Sequence, residues 1–461
     1  MIKNNTTYLT VISTLFLLSI SIFIGCGQAN DEESEFTSIF NGKDFSQWRL
    51  PNNVEITDDS VIGYTIKDGI ITSKTEKVSK RVKNIYTEKE YENYIFRFEF
   101  KLDNKANNGL GLRCSNDGSD VAYSNFELQI LDNSAYKKLQ PYRLHASIYG
   151  VLPAKTGALK PVGEWNSQEI YFNGTHLKVT LNGTIVMDSD LTLIKPHGKF
   201  AKGLLNARGH ICLAGHGPGI SFRNLRIKEL KNNIAPKTQD NTPPTGFTAL
   251  FDGKSFDNWK GLMELNKLDN PINRAKASKD DLEKAQKAAD ESAKAHWSIQ
   301  DGAMVFDGKG YSLTSTKEYR DYEFYVDWKI ENNGDSGIYL HGSPQVQIWD
   351  PNNQKALKHG ADKGSGGLWN NKKSSKGRFP LVKADKPIGE WNTFFIRMVR
   401  GKVTVYLNNK LIVNNVQLDQ FWDKGSNEPL EEGQIQLQAH GHKVWFKNIY
   451  IKELNPQLSA K

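Results

Sequence analysis

Apolar and polar residues alternate along many stretches of this chain. Between residues 94 and 102, every second residue is a large apolar one, and most residues between them are charged. Because successive side chains of a β-strand point to opposite faces, this stretch predicts a strand with one buried face. Turn signals such as Asn182-Gly183 and Asn408-Asn409 separate similar stretches. Many short strands with one apolar face predict two sheets packed together, a β-sandwich.

The pattern occurs twice. "FTSIFNGKDFSQW" near the start returns as "FTALFDGKSFDNW", and "GISFRNLRIKEL" returns as "KVWFKNIYIKEL" at the end. A chain of 461 residues also suits two domains better than one. We therefore predict two copies of an all-β domain at 36–230 and 247–454, joined by a Pro-containing polar linker at 231–246.

One segment interrupts the repeat. Residues 262–296 of the second copy are rich in Ala, Lys, Asp and Glu and have no counterpart in the first copy. Ser278 and Asp281 have the spacing of a helix-capping box. The segment predicts a helical insertion at the surface of the second sandwich.

The N-terminus reads as an export signal. Lys3 precedes an apolar run at residues 8–24, and Gly25 and Cys26 follow it. Residues 1–25 resemble a bacterial lipoprotein signal peptide, with Cys26 as the lipid-bearing residue and 26–35 as an acidic tether. An uncleaved membrane anchor would need about 20 apolar residues and explains neither Gly25 nor Cys26. We expect a bacterial outer-membrane lipoprotein, periplasmic or on the cell surface, that meets the membrane through this lipid.

The charge pattern argues against one class of partner, and the cysteine content bears on disulfide formation. The net charge of +8 comes from 60 basic and 52 acidic residues that are scattered without a basic stripe, so nucleic acid is not an expected partner. Beyond the signal peptide and its cysteine, only Cys114 and Cys212 remain. Their sequence separation gives no geometric evidence for a disulfide, and we predict two buried thiols.

The stretch "ELQILD" (Glu127–Asp132) in the first copy returns as "QVQIWD" in the second. In a strand, Glu127 and Gln129 share one face, and Asp132 faces the other way unless a bulge turns it back. Two carboxylates on one face could act as acid and base. The second copy has Gln345 in place of Glu127, so a two-carboxylate mechanism cannot operate through this strand in both copies.

Several segments together resemble the 3-keto-disaccharide hydrolase domain family of exported bacterial jelly rolls. They are "LFDGKSFDNW", "DSGIYL", "QVQIWD", "GSGGLWNN", "ADKPIGEWN" and "LQAHGHKVWFKNIYIKEL". The match covers nearly all of the second copy, and the first copy is more divergent. Where the family usually has Arg after "IYL", the second copy has His341, while the first keeps Arg113.

The resemblance implies two concanavalin/LamG-like jelly rolls and cleavage of 3-keto-glycosides or related disaccharides by hydrolysis or elimination. A ketone at carbon 3 acidifies the hydrogen on carbon 2, so the site needs a base and a group that stabilises the developing enolate. The candidate catalytic residues are His216, His440, Glu127, Asp132, Asp350 and His145. The candidate substrate-binding residues are Arg113, Gln129, Tyr149, His341, Gln345, Gln347, Trp349 and Trp369.

Each candidate also has a structural interpretation. Asp132 and Asp350 could cap the turn that follows them, and the "HG" histidines, His216 and His440, could bond a backbone carbonyl in a turn. The tryptophans could be core residues instead of sugar platforms. The sequence leaves the cofactor open: a divalent metal is compatible with the chemistry, but the His440–His442 spacing alone is a weak zinc signal.

Two other functions compete with this interpretation. The first is a carbohydrate-binding surface lipoprotein without catalysis, because the same sandwich is a lectin scaffold. The second is a conventional glycosidase that uses Glu127 and Asp132.

Overall fold

The structure, a computed structural model, consists of two β-sandwiches in series. It describes residues 33–58, 62–74, 82–196, 198–217, 219–232, 234, 238–342, 345–423, 430–454 and 457–458. Cys26 and the predicted signal peptide lie outside these residues. Among the described residues, no helix is both long and apolar enough to cross a membrane.

Within its described residues, the first copy contains fifteen strands and one short helix, α1 (Val121–Ser124). The strands are β1 (Thr37–Ser38), β2 (Trp48–Leu50), β3 (Val54–Glu55), β4 (Tyr64–Lys67), β5 (Ile70–Ser73), β6 (Ile85–Thr87), β7 (Tyr94–Leu102), β8 (Asn107–Cys114), β9 (Glu127–Leu131), β10 (Trp165–Asn173), β11 (His176–Leu181), β12 (Thr184–Asp190), β13 (Ile194–Lys195), β14 (His210–Ala214) and β15 (Ile220–Glu229).

The second copy begins at residue 248. Its strands are β16 (Thr248–Ala249), β17 (Trp259–Gly261), β18 (Trp297–Gln300), β19 (Ala303–Phe306), β20 (Leu313–Tyr319), β21 (Tyr322–Ile330), β22 (Asp335–Tyr339), β23 (Gln345–Trp349), β24 (Asn392–Val399), β25 (Lys402–Leu407), β26 (Lys410–Gln417), β27 (Gly433–Leu437), β28 (Val444–Glu453) and β29 (Gln457–Leu458). Two helices, α2 (Pro271–Arg274) and α3 (Lys279–His296), lie between β17 and β18.

Each copy stacks a large sheet on a smaller one. In the first copy, an eight-stranded sheet of order β12-β11-β10-β7-β15-β5-β4, with β1 on β15, packs on a six-stranded sheet of order β3-β2-β6-β14-β8-β9. In the second, the orders are β18-β19-β28-β21-β24-β25-β26, with β16 on β28, and β17-β20-β27-β22-β23. The prediction of two jelly-roll sandwiches is confirmed. The predicted domain limits stay predictions.

Strand β7 shows how the alternating pattern forms the core. Phe96, Phe98 and Phe100 are at most 2% exposed and belong to the first hydrophobic core. On the opposite face of the same strand, Arg97 bonds Glu169 of the neighbouring strand at 2.7 Å. Period-two alternation therefore puts the aromatic rings between the sheets and the charges outside.

The predicted helical insertion is confirmed as α2 and α3. The Ser278 hydroxyl accepts a hydrogen bond from the Asp281 amide at 3.1 Å, as expected from a capping residue. The helix rests on β17, where Gly261 donates its amide hydrogen to Asp290 at 3.0 Å and accepts from Gln286 at 2.9 Å. A side chain on Gly261 would collide with the backbone of Ala289.

The two copies also bond each other directly. Asn414 of β26 accepts from the Ala207 amide at 2.7 Å and donates to the Arg208 carbonyl at 2.8 Å. Asn415 donates to Asn206 at 2.9 Å. Residues 206–208 of the first copy are thereby hydrogen-bonded to the second sandwich.

Replacing Gly261 with alanine should destabilise the protein, because the new methyl group meets helix backbone that cannot move independently. We expect a loss of about 1–3 kcal/mol, typical of overpacked sites, and a lower guanidinium midpoint. Gly217→Ala is the matched control, since its added carbon would meet no atom closer than 3.6 Å. Equal midpoints for the two variants would contradict the close packing of α3 on β17.

Candidate functional site

Two equivalent sheet faces carry most of the candidate polar residues. In the first copy, Leu128 and Ile130 enter the core, so Glu127 and Gln129 point away from it on β9. Glu127 pairs with Gly111 and Gln129 with Gly109 on the adjacent β8. We call this outer surface of the six-stranded sheet, around β8, β9 and β14, the first face.

Glu127 lies across a glycine of the neighbouring strand. A side chain on Gly109 would collide with the Glu127 carboxyl group, so this glycine makes room for it. Among the described residues, the carboxyl group has no hydrogen-bond or ion-pair partner. Burial, and then the nearby charge of Asp120, raises the pKa of Glu127 to about 8. A half-buried, unpaired carboxyl group with such a pKa is typical of acid–base catalysis.

Tyr149 and Arg143 border Glu127. The Tyr149 amide donates to the Glu127 carbonyl at 2.9 Å, and the Arg143 guanidinium lies 5.6 Å from the Tyr149 ring. Burial raises the pKa of Tyr149, the Arg143 charge lowers it and the Glu127 charge raises it, so both charged groups lie near the phenol. The Arg143 Nε atom is buried without a partner within the described structure. This site therefore offers an unpaired donor and an unpaired carboxyl group that both lie near the Tyr149 phenol.

Aromatic rings extend the first face. Phe200 packs against Tyr149 at 5.7 Å and against Tyr123 of α1 at 5.0 Å between ring centroids. All three rings are only partly buried. Such rings can stack on the apolar side of a sugar.

Cys114 and Cys212 lie beside Glu127 on the same face. Cys212 pairs with Gly111, which in turn pairs with Glu127. Both cysteines are buried free thiols, as predicted, and burial raises the pKa of each. Neutral thiols this close to Glu127 add to its apolar surroundings.

The second face is built the same way but with different chemistry. Gln345 of β23 lies over Gly337, as Glu127 lies over Gly109. Gln345 donates to Gln347 at 2.5 Å, and Gln347 donates to Asp335 at 2.8 Å. Asp335 in turn lies 3.3 Å from Nδ1 of the exposed His440. The hydrogen bond to Asp335 raises the pKa of His440.

The carboxyl and amide groups have exchanged places between the copies. Asp335 pairs with the last residue of β23 as Asn107 pairs with the last residue of β9, so these two positions are equivalent. The first face thus has Glu127 with Asn107, and the second has Gln345 with Asp335. Of these two positions, each face keeps one as a carboxyl group, but not the same one.

The structure gives Asp132 and Asp350 a structural role instead of the predicted catalytic one. Asp132 accepts from the Ser134 amide and the Lys105 amide, both at 3.0 Å. Asp350 accepts from the Asn333 and Asn352 amides, both at 2.8 Å. Burial alone would raise the pKa of Asp132, but hydrogen bonds, chiefly from Ser134, lower it. Both carboxylates cap the turn after the strand and tie it to the preceding loop.

His145 also has a structural role instead of the predicted catalytic one. It is 3% exposed, stacks on the core residue Phe100 at 5.0 Å and accepts from the Leu131 amide at 3.3 Å. Ser365 accepts from the Trp349 amide at 3.2 Å in the equivalent place. Burial lowers the pKa of His145 to about 4. A hydroxyl can replace this imidazole because both accept a hydrogen bond from the equivalent backbone amide, and the Ser365 hydroxyl also donates to the Trp349 carbonyl at 3.2 Å.

Arg113 and His341 brace loops and are turned away from both faces. Arg113 is 2% exposed and donates to the carbonyls of Glu92 and Gly174, both at 2.7 Å. It also donates to the Asn206 carbonyl at 3.1 Å, which belongs to the segment that meets the second copy. His341 places its ring nitrogens 3.0 and 2.9 Å from the Leu430 and Arg320 carbonyls. The predicted substrate contacts of both residues are not supported.

The two tryptophans of the second copy differ. Trp349 is 4% exposed and donates its indole hydrogen to the Gly364 carbonyl at 2.8 Å, so it packs in a small core. Trp369 is only partly buried and lies 4.0 Å under the Arg378 guanidinium. Bridges Leu128–Ile148 and Val346–Leu368 make Trp369 the equivalent of Tyr149. A sugar platform stays a prediction for Trp369 and Tyr149.

The remaining candidates keep their status as predictions. Gln129 and Gln347 lie on the two faces, and Gln129 donates to Asn107 at 3.3 Å. His216 is exposed beyond the end of β14, and its backbone amide donates to Asn108 at 3.2 Å. Sequence reasoning missed Arg143, Asp335, Gln436 of β27 and Gln438 directly after that strand. Aligning "NNGLGLR" with "DSGIYLH" would have paired Asn107 with Asp335, whereas nothing in the sequence marks Arg143.

The described residues contain no cluster of three or more His, Cys, Asp or Glu side chains that could hold a metal ion.

The two stacked pairs of sheets define a tandem β-sandwich protein of the jelly-roll class. The chain belongs to the 3-keto-alpha-glucoside-1,2-lyase-like domain family, whose model matches residues 35–228 and 246–452.

The chain is also similar to individual proteins. A 3-keto-disaccharide hydrolase of Bacteroides thetaiotaomicron is 24% identical over 289 residues, spanning 50% of this chain and 85% of that protein. Two solved structures of proposed glycosyl hydrolases from Parabacteroides distasonis are also similar. One is 24% identical with a TM-score of 0.37 and covers 44% of this chain and 97% of its own. The other is 26% identical with a TM-score of 0.35 and covers 42% and 99%.

Replacing Glu127 with glutamine should stabilise the protein increasingly as the pH rises. The pKa of Glu127 is raised from 4.5 to about 8 in the folded state, so its ionisation costs stability as the pH rises from about 4.5 to about 8. Glutamine does not ionise, and we expect its advantage to grow by about 1–3 kcal/mol between pH 4 and pH 9 after allowing for partial exposure. Denaturant midpoints at both pH values measure this. An advantage no larger than that of Glu164→Gln, an exposed control, would contradict a shifted Glu127.

Proposed function

We propose that the chain is an exported glycoside-cleaving enzyme that acts on 3-keto-glycosides, and that the first face is its reacting site. The observation that carries this proposal is Glu127, an unpaired carboxyl group with a pKa of about 8. Membership of a family described by 3-keto-glucoside cleavage supplies the substrate class. The conventional glycosidase alternative loses Asp132 as its second acid, because backbone amides occupy both oxygens of this residue.

Ionised Glu127 would act as the base. It removes the hydrogen on carbon 2 of the sugar, and the electron pair of that C–H bond moves onto the carbon-3 ketone as an enolate. When the enolate collapses, the bond from carbon 1 to the aglycone oxygen breaks, and the aglycone takes up a proton as it leaves. Addition of water to the resulting enone completes a net hydrolysis. A base with a pKa near the working pH balances availability against strength.

Arg143 would stabilise the enolate. Its Nε–H is buried and unpaired, so it can donate to the ketone oxygen without first breaking another bond within the described structure. Preorganised donors of this kind act most strongly where water is excluded. Tyr149, Tyr123 and Phe200 would support the sugar ring through stacking.

Glu127→Gln should reduce kcat/KM for a chromogenic 3-keto-glucoside by about 10²–10⁴-fold, the usual contribution of a general base. For the unmodified protein, kcat/KM should rise with pH through about 8 and level off above it, since only the carboxylate accepts the proton. Aglycone release measured from pH 5 to 10 gives both results. Glu164→Gln should leave the rate unchanged. A rate that falls above pH 8 would make Glu127 an acid and exclude this mechanism.

We also propose that Cys26 carries the lipid that holds the protein at a bacterial outer membrane, with the two sandwiches in the periplasm or on the cell surface. The sequence around Cys26 supports this assignment. Stable anchoring follows from attached acyl chains, each buried CH₂ contributing about 0.8 kcal/mol.

Cys26→Ala should move the protein from the detergent phase to the aqueous phase in a Triton X-114 partition of cell extracts. Cys114→Ala and Cys212→Ala serve as controls, because these thiols are buried in the first sandwich and should not change the partition. Retention of the Cys26→Ala protein in the detergent phase would rule out lipidation at this residue.

A further inference from the structure

A row of four polar positions crosses the second face. Gln345 pairs with Tyr339, Tyr339 with Gln436, and Gln436 with Thr314, so the row runs over four neighbouring strands. Gln345, Gln436 and Thr314 are 4%, 2% and 2% exposed. Gln345 replaces the titratable Glu127 of the first face, so this row contains no carboxyl group.

The orientation of the Gln345 amide is fixed by its neighbours. Gln347 Nε2 lies 2.8 Å from a carboxylate oxygen of Asp335 and 3.1 Å from each of the Ser336 and Ile348 carbonyl oxygens. Since all three are acceptors, this atom must be the donor nitrogen. Its Oε1 therefore faces Gln345 and accepts from Gln345 Nε2 at 2.5 Å. The Gln345 Oε1 atom is left as the free acceptor.

Four buried polar atoms on this face have no partner within the described structure. They are Gln345 Oε1, Gln438 Oε1, Thr314 Oγ1 and Gln436 Nε2. Leaving buried polar groups unpaired is unfavourable, so they indicate a ligand that can satisfy them. Hydroxyl groups both donate and accept, and a sugar presents several of them side by side.

The two ends of the second face have different neighbours. At one end, Gln438 is partly buried and His440 is exposed. At the other end, a carbon added to Gly342 would lie 3.2 Å from Gln436 Nε2 and 3.9 Å from Pro271 of α2. The insertion therefore borders the row near Gln436, and the exposed His440 lies at the opposite end.

We propose that the second face is a separate binding site for a neutral, unoxidised glycoside, which it distinguishes from the 3-keto form by the hydrogen bond to Gln345. An alcohol at the sugar carbon facing Gln345 donates to Oε1. A ketone can only accept, and would leave this oxygen buried and unpaired. The first face has the opposite preference, because Arg143 Nε is an unpaired donor that suits a ketone oxygen.

Catalysis at the first face is not required for this binding. The test uses the full chain carrying Glu127→Gln, so that 3-keto sugars stay intact. Maltose, cellobiose and trehalose, each unoxidised and in its 3-keto form, are titrated by calorimetry. We expect at least one unoxidised disaccharide to bind, and Gln345→Leu to weaken this binding at least 10-fold. The 3-keto form should lose no more than twofold on the same substitution, since it binds elsewhere.

Two further variants separate binding from folding. Gln300→Leu changes an exposed glutamine of β18 and should leave all affinities unchanged. Gln345→Glu introduces the residue that the first copy has at the equivalent position, and it keeps the shape of the side chain. At a pH above the pKa of the new carboxyl group, this variant should still accept a hydrogen bond from the sugar alcohol. Unfolding midpoints identify any variant that has lost its fold.

Three results would overturn the proposal. They are the absence of binding by every unoxidised disaccharide, equal affinity after Gln345→Leu in a folded protein, and a 3-keto form that depends on Gln345 as strongly as its alcohol. None of these results bears on whether Glu127→Gln removes 3-keto-glycoside cleavage. The two proposals therefore fail independently.

Discussion

The register between the last two strands of each smaller sheet is the constraint on which the rest of the site depends. It pairs Glu127 with Gly111 and Gln129 with Gly109, and the Glu127 side chain lies over Gly109. A slip of one residue would send Glu127 into the core and Leu128 onto the face. The same arrangement recurs at Gln345 and Gly337. The strand register therefore directs the side chain at position 127 or 345 onto the outer face. The glycine on the neighbouring strand leaves space for that side chain.

Much of this architecture could be predicted from the sequence because it depends on local pattern. The alternation around Phe98, the repeat and the capping box at Ser278 each reflect a periodicity or spacing that the fold must obey. The roles of polar residues depended on long-range contacts instead. Arg113 looked like a substrate contact, yet its partners lie on loops that are 21 to 93 residues away in sequence. Likewise, the unpaired Nε of Arg143 becomes visible only when its surroundings are known.

Comparison of the two copies separates structural from chemical residues more clearly than either copy alone. His145 and Ser365 differ completely in chemistry but accept the same backbone hydrogen bond, so their position serves the fold. Asp132 and Asp350 are identical and cap the same turn. Positions 127 and 345 also differ, but there the change alters a group that no neighbour in the described first copy satisfies. The change from His145 to Ser365 therefore preserves a structural hydrogen bond, whereas the change from Glu127 to Gln345 alters the chemistry of the face.

Because the carboxyl and amide groups have exchanged places, the carboxyl group is unpaired on the first face and paired on the second. On the first face, burial without a partner leaves Glu127 largely protonated at neutral pH. On the second, the carboxyl group at Asp335 is paired with Gln347 and His440, so the charge is satisfied before any ligand arrives. An unpaired carboxyl group such as Glu127 is free to interact with a substrate. A paired one such as Asp335 fixes the orientation of the side chains that bond it. The first arrangement suits a reacting site and the second suits a binding site, which is why one duplicated fold can carry both.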